Sequence, residues 1–271
     1  MSANIFVMEF KRILRPTVLW TFFICLFIYI DMVFYKQMIE SGVFDQVLGI
    51  MNNPFIGNMV KGFGVNPEQL TDSLGFYAIR NTMVTMLMGG IYAVITASSL
   101  IAMEEHDKTS EFLLSRPVTR LEIMNAKLLA FQINLFLLNS VSSVIGYISL
   151  EIFRMSDYSL YSYIVLCIYT YLLTLIFGSI GLFFSLLMKR GRVFIGAIIG
   201  IVLGTYFLEV LSKVTESANF LGYFSPFKYA DKDVLKPGYD LDIWNLVFFI
   251  AGSLLLTIIS YRIFMKKDII V

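Results

Sequence analysis

Long stretches without a charged residue constrain this chain more than any other feature of its sequence. Asn81–Met103 and Leu128–Leu150 each run for 23 residues without an Asp, Glu, Lys or Arg, and Tyr158–Met188 runs for 31. A helix needs about 20 apolar residues to cross the hydrocarbon core of a bilayer. Only 15% of the chain is charged, whereas a soluble domain carries about 25% charged residues. The sequence therefore predicts a polytopic membrane protein and excludes a soluble enzyme.

These stretches and their apolar flanks predict an all-α fold in which the whole chain, 1–271, forms one membrane domain. An amphipathic helix over 2–15 is expected to lie in the membrane interface, because Phe6, Phe10 and Ile13 share one helical face. Six spans are expected at about 17–37, 78–103, 121–150, 159–188, 193–212 and 242–264. Two outer loops, 38–77 and 213–241, and a charged cytoplasmic connector, 104–120, lie between them.

The basic residues set the expected orientation. Most of the 21 Lys and Arg residues fall in the N-terminal helix, the connector, the short loop at 189–192 and the C-terminal tail. Short cytoplasmic loops carry an excess of Lys and Arg, so we expect both termini in the cytoplasm. The net charge of only +1 excludes a nucleic-acid partner, which requires a basic surplus.

Residues that could carry chemistry are sparse. The one histidine, His106, stands among Glu104, Glu105 and Asp107, and these are the residue types of a metal site. Consecutive residues on a helix do not face one another, so a solvated charged loop is the preferred interpretation. No glycine loop of the G-x-x-x-x-G-K-S/T type occurs in the sequence. We therefore expect no catalytic residue, metal ion or bound cofactor on this chain.

Two carboxylates, Asp31 and Glu209, lie inside predicted spans. An acid within a membrane is a functional candidate because its burial there is costly. Each of these acids, however, lies within about two helical turns of a lysine, Lys36 or Lys213. Snorkelling of the side chain towards the interface or local pairing with those lysines is the favoured interpretation, and an ion pathway is the alternative.

Small and polar residues recur at helical spacing inside the spans. Gly196, Gly200 and Gly204 repeat every four residues and predict close packing of span five against another helix. Four polar residues stand out on spans three and four: Gln132, Asn139, Thr170 and Thr174. Such side chains either line a translocation route or form hydrogen bonds between helices, and the sequence leaves both interpretations open.

The connector contains the signals of a short helix held out from the membrane. Thr109 is placed to cap a helix that presents Leu113 and Leu114, and Pro117 ends that helix. Thr119 then begins a capping box with the glutamate three residues further on, which starts the helix of span three. A short amphipathic helix in this position is suited to docking with another protein.

This connector resembles that of the ABC-2 type permeases, the membrane subunits of ATP-driven transporters. The shared pattern is an acidic end to span two, a threonine, Glu-x-Leu-Leu, a Pro-Val-Ser/Thr-Arg turn and a lysine that begins span three. This chain carries the pattern as Glu104-Glu105, Thr109, Glu111-Phe112-Leu113-Leu114, Pro117-Val118-Thr119-Arg120 and Lys127. The segment Ser225-Pro226-Phe227 before the last span is also similar to that of the family.

The resemblance implies that a separate ATPase subunit binds the connector. The residues implied in this contact are Glu104, Glu105, Thr109, Glu111, Leu113, Leu114, Arg116, Pro117 and Arg120. A second cytoplasmic loop with Lys189, Arg190 and Arg192 is either a weaker docking site or an anchor that fixes the topology.

The resemblance also implies an assembly and a function. Two ATPase subunits would bind ATP and Mg²⁺, and a second permease copy, identical or related, would complete the complex in a bacterial or archaeal plasma membrane in contact with its lipid. We expect an exporter of a peptide antibiotic, a drug or another amphipathic cargo. The alternative is a subunit for signalling or mechanical transmission that moves no cargo.

Overall fold

The computed structural model describes residues 3–51, 67–106, 119–187, 195–214 and 216–266. Within these ranges the regular elements are all helices, without a strand. Six of the described helices are long and apolar enough to cross a membrane. The predicted all-α fold with six membrane spans is therefore confirmed.

The six long helices are α1 (Ala3–Glu40), α2 (Met83–His106), α3 (Arg120–Phe153), α4 (Leu160–Leu187), α5 (Ile195–Val214) and α6 (Ile243–Lys266). Short helices lie after α1 (Val43–Met51, Pro67–Thr71, Ser73–Phe76) and after α5 (Glu216–Ala218, Asn219–Gly222, Pro226–Tyr229). A π-helical turn, Tyr77–Thr82, precedes α2. We call the end of the bundle where α2 ends and α3 begins the connector end, and the other the loop end.

The N-terminal helix predicted over 2–15 is not separate from the first span, and its place in the membrane interface stays a prediction. It is instead the first part of α1, a single helix of 38 residues that continues through Pro16. The buried residues of α1 follow one face at three- and four-residue spacing, from Ile5 through Thr17 to Tyr35. This face packs along α3. Burial of one continuous stripe therefore outweighs the hydrogen bond that Pro16 cannot donate.

The centre of the bundle is the contact between α2 and α4. In the apolar stretch of α4, 67% of the residues are buried, compared with 17% in α6. A Cβ added to Gly181 of α4 would lie 2.5 Å from the carbonyl oxygen of Val94, and one added to Gly89 of α2 would lie 2.8 Å from the side chain of Thr174. The two backbones therefore approach as closely as small residues allow in membrane bundles.

The glycine row of α5 has no such neighbour. A Cβ added to Gly196, Gly200 or Gly204 would meet nothing within 4 Å among the described residues. A different face of α5 packs on α2, where the Val202 side chain would lie 3.4 Å from a Cβ added to Gly90. This contact rotates the glycine row outward, so a helix that packs against the row must come from outside the described residues.

Candidate functional site

Most of the predicted coupling residues lie outside the described residues. Thr109, Glu111, Leu113, Leu114, Arg116 and Pro117 fall within 107–118, and Lys189, Arg190 and Arg192 fall within 188–194. Glu104 and Glu105 belong to the last turn of α2, and Arg120 is the first residue of α3. The structure thus places the helices that flank the connector, and the roles of these residues stay predictions.

The connector leads into α3 through a capping box. The Thr119 hydroxyl accepts a hydrogen bond from the Glu122 backbone N–H at 3.3 Å, and the Glu122 carboxylate accepts one from the Thr119 backbone N–H at 3.2 Å. The predicted capping box is confirmed. It satisfies two backbone donors at the start of α3 and so fixes the residue at which the connector ends.

A buried ion pair lies about two turns into α3. The Lys127 Nζ is 3.0 Å from Glu9 Oε1 of α1 and donates a hydrogen bond of 2.7 Å to the Leu100 carbonyl oxygen of α2. Both charged side chains are only 1% exposed, and Arg12 contacts the other Glu9 oxygen at 3.4 Å. Buried charges are stable only when paired and hydrogen-bonded. Lys127 therefore joins three helices at the connector end.

The sequence pattern did not reveal this pair, because Lys127 was assigned only to the start of span three and Glu9 to an interfacial helix. A usable signal was present, however. Glu9 is four residues from both Ile5 and Ile13, and all three lie on the buried face of α1. An acid in the middle of an apolar helical stripe indicates a buried partner with a positive charge.

A second polar contact joins the same three helices deeper in the bundle. The Thr17 hydroxyl of α1 lies 2.7 Å from the Tyr92 hydroxyl of α2 and 3.0 Å from Asn134 Oδ1 of α3. All three side chains are buried. Together with Lys127, this contact joins the connector ends of α1, α2 and α3 through hydrogen bonds. Such bonds are hard to replace in an apolar medium, because an unpaired polar group is costly there.

The structure brings together some of the polar residues predicted to line a route. Asn139 Nδ2 of α3 donates a hydrogen bond of 3.1 Å to Thr174 Oγ1 of α4. Thr170 is also buried, and it lines a small cavity that Asn139 borders. Gln132 is half-buried and does not line that cavity. A hydrogen bond between helices is thus observed for one pair, and the lining of a route stays a prediction.

The expected pairing of Asp31 with Lys36 is wrong. Asp31 forms an ion pair with Arg80 of the π-helical turn at 2.8 Å, whereas Lys36 contacts Glu40 at 3.9 Å. The reason is geometric: five residues along a helix correspond to a rotation of about 140°, so Asp31 and Lys36 lie on different faces of α1. Asp31 is on the buried face and meets the neighbouring segment instead.

The expected partner of Glu209 is confirmed. Lys213, one turn further along α5, lies 2.7 Å from the Glu209 carboxylate. Lys232, from the segment before α6, lies 3.9 Å from the same oxygen. Burial lowers the pKa of the Lys232 amine, and the negative charge of Glu209 partly offsets this lowering. Glu209 thus anchors the segment that follows α5 to the end of that helix.

Comparison with known proteins assigns this arrangement to a family. The sequence matches the family described as ABC-2 family transporter protein over residues 3–269, which include all six apolar helices and the Lys127 contact. Comparison with curated proteins finds no match. Members of the ABC-2 family are transmembrane components of ABC transporters and are not themselves catalytic. The chain therefore belongs to the ABC-2 family of transporter proteins and is a multi-pass membrane subunit of an ABC transporter.

Proposed function

We propose that this chain is the permease of an exporter in which two permease copies work with two separate ATPase subunits. The ATPase subunits bind ATP and Mg²⁺, and the permeases supply the route across a bacterial or archaeal plasma membrane, with both termini in the cytoplasm. The observation that carries the proposal is the contact of Lys127 with Glu9 and Leu100, which holds three helices together at the connector end.

The connector transmits movement only if its two ends are fixed to helices that move together. Lys127 meets this requirement, because it lies two turns after the start of α3 and bonds to Leu100, about two turns before the end of α2. Glu9 adds α1 to the same unit. A force applied by an ATPase to residues 104–120 would therefore displace the connector end of all three helices.

The glycine row of α5 supports a second permease copy. Gly196, Gly200 and Gly204 are exposed, and no described residue of the same chain covers them. Helices in membranes associate through small residues that let two backbones approach. A second copy that packs on α5 would give the assembly two connectors, one for each ATPase subunit.

The charges inside the spans favour an amphipathic cargo, such as a peptide antibiotic or a drug, over a cation. Asp31 is paired with Arg80, and Glu209 is paired with Lys213. For a cation to cross through the spans, a carboxylate on its route would have to exchange its basic partner for the cation. Both acids also lie towards the loop end of the bundle, away from its centre.

Co-expression with the ABC ATPase encoded beside this chain tests the proposal. We expect the two subunits to co-purify, and we expect Glu111→Lys or Arg120→Glu to abolish co-purification without preventing membrane insertion. Lys236→Glu is the matched control, because it reverses an exposed charge in the segment at the loop end. Co-purification that survives in both connector variants would contradict the assigned docking surface.

ATP hydrolysis by the complex in lipid discs separates export from signalling. Stimulation by one class among peptides, drugs and lipids would support export and identify the cargo class. A stable complex whose ATP hydrolysis responds to no candidate would instead support a subunit for signalling or mechanical transmission.

A further inference from the structure

A groove with a volume of about 620 Å³ opens between α3 and α4. It exists because the two helices pack on different partners, α3 along α1 and α4 along α2 and α6. Its walls are mainly apolar and aromatic: Phe136, Val144, Tyr147, Leu160, Ile164 and Tyr171. Several of these side chains are exposed, including Phe136 and Val144 at 58% each. In a membrane the groove is therefore open to the lipid chains.

The floor of the groove is polar. Asn139, Ser143 and Cys167 line the groove and also a small cavity behind it. Asn139 is only 6% exposed, and its amide nitrogen donates to Thr174 and to the Leu135 carbonyl oxygen. Its carbonyl oxygen Oδ1 is buried and has no hydrogen-bond partner among the described residues.

Unpaired polar atoms in this position are costly. A buried acceptor without a partner costs about 1–3 kcal/mol, and hydrocarbon offers no donor that could replace water. Asn139 lies near the middle of α3, far from both ends of the span. A ligand in the groove with an O–H or N–H group would satisfy this acceptor once the Asn139 side chain turns its oxygen towards the groove.

The charges exclude an ionic ligand. Among the residues that the structure describes, no charged side chain lines either the groove or the small cavity, and an ion at this depth would lack a counter-charge. The walls from Phe136 to Tyr147 extend about 16 Å along α3. This length accommodates one alkyl chain lying along the apolar walls.

We propose that this groove binds a neutral single-chain amphipath of the bilayer, with its alkyl chain along α3 and its hydroxyl or amide group at Asn139. The proposal concerns the permease chain alone, so it holds whether or not the chain exports a cargo. The ligand enters sideways from the membrane through the open side of the groove.

Photolabelling of the purified full-length chain in phosphatidylcholine nanodiscs tests the proposal. The probe is dodecanol with a diazirine in its alkyl chain, and labelled residues are identified by mass spectrometry. We expect labels within 136–147 and 160–171, which unlabelled dodecanol removes. Dodecane, which lacks the donor, is expected to compete about fivefold less well, as the loss of one hydrogen bond implies. Ionised laurate at alkaline pH is expected not to compete.

Two matched variants separate the groove from the general lipid surface. Val144→Trp fills the groove and is expected to abolish labelling there. Leu254→Trp adds the same ring to α6 at a residue of equal exposure, 57% against 58% for Val144, and is expected to leave labelling unchanged. Labelling spread equally over α6 and α3, labelling unaffected by Val144→Trp, or equal competition by laurate would each overturn the proposal.

Discussion

The contact between α2 and α4 and the outer face of α5 carry the same small-residue pattern with opposite outcomes. Gly181 of α4 lies so close to α2 that an added Cβ would lie 2.5 Å from a backbone oxygen. Gly200 of α5 has nothing within 4 Å among the described residues. Small residues permit two backbones to approach, but they do not determine which helix approaches. The partner is determined by the side chains around them.

Val202 illustrates how that choice is made. Its side chain packs against Gly90 of α2 on the buried side of α5, and this contact leaves Gly196, Gly200 and Gly204 on the opposite side. Contacts within the chain thus bury the small residues between α2 and α4, whereas the glycine face of α5 stays exposed and is available to a partner. The predictions below test each side of this contrast.

The largest effect is expected from breaking the buried ion pair inside the bundle. Lys127→Met leaves the Glu9 carboxylate buried at 1% exposure, and among the described residues the basic side chain that still contacts it is Arg12, at 3.4 Å. Removal of one partner of a buried ion pair costs about 3–5 kcal/mol. We expect a marked fall in the unfolding temperature in detergent and in the yield of monodisperse protein.

The double variant Glu9→Met and Lys127→Met is the control for this prediction. It removes both charges, and replacement of a whole buried pair by apolar residues is often neutral. We expect it to recover much of the lost thermal stability. A double variant as unstable as Lys127→Met would show that the pair contributes through hydrogen bonds, such as that to Leu100, more than through charge.

A smaller effect is expected from filling the close contact between α2 and α4. Gly181→Leu forces a side chain against the backbone of Val94, and overpacking of this kind costs about 1–3 kcal/mol. Gly200→Leu makes the same change in the exposed row of α5 and is expected to leave the stability of the single chain unchanged. Equal losses of thermal stability in the two variants would remove the contrast between these faces.

The smallest effect is expected at the loop end. Arg80→Gln removes the partner of Asp31, whose side chain is only 6% exposed, but the Arg80 side chain is 51% exposed, so solvent screens part of the attraction. Ion pairs at exposed positions contribute less than about 1 kcal/mol. We expect a smaller fall in the unfolding temperature than for Lys127→Met, and an equally large fall would show that the burial of Asp31 outweighs the exposure of Arg80.

Much of the fold could be predicted from the sequence, because a membrane span requires an uninterrupted apolar stretch and little else. The capping box of Thr119 and the pairing of Glu209 with Lys213 could be predicted as well, because both depend on residues three or four apart. These features are local, and helical geometry alone determines them.

The contacts between distant segments could not be predicted in the same way. Glu9 and Lys127 are 118 residues apart, and their pairing depends on how α1 lies on α3. Asp31 meets Arg80 through a π-helical turn that the sequence pattern did not indicate. The outward rotation of the α5 glycines likewise depends on its contact with α2. Helix–helix packing, which a single sequence does not encode in its periodicity, decides each of these cases.

Disulfide cross-linking across the α5 face tests most directly whether the permease works as a pair. Gly200→Cys would be placed in a background of Cys25→Ser and Cys167→Ser, and membranes would be oxidised before electrophoresis. Leu254→Cys on the exposed face of α6 is the control. We predict a covalent dimer from Gly200→Cys and monomer from Leu254→Cys. Monomer from Gly200→Cys together with dimer from Leu254→Cys would contradict the assignment of α5 to the contact between two copies.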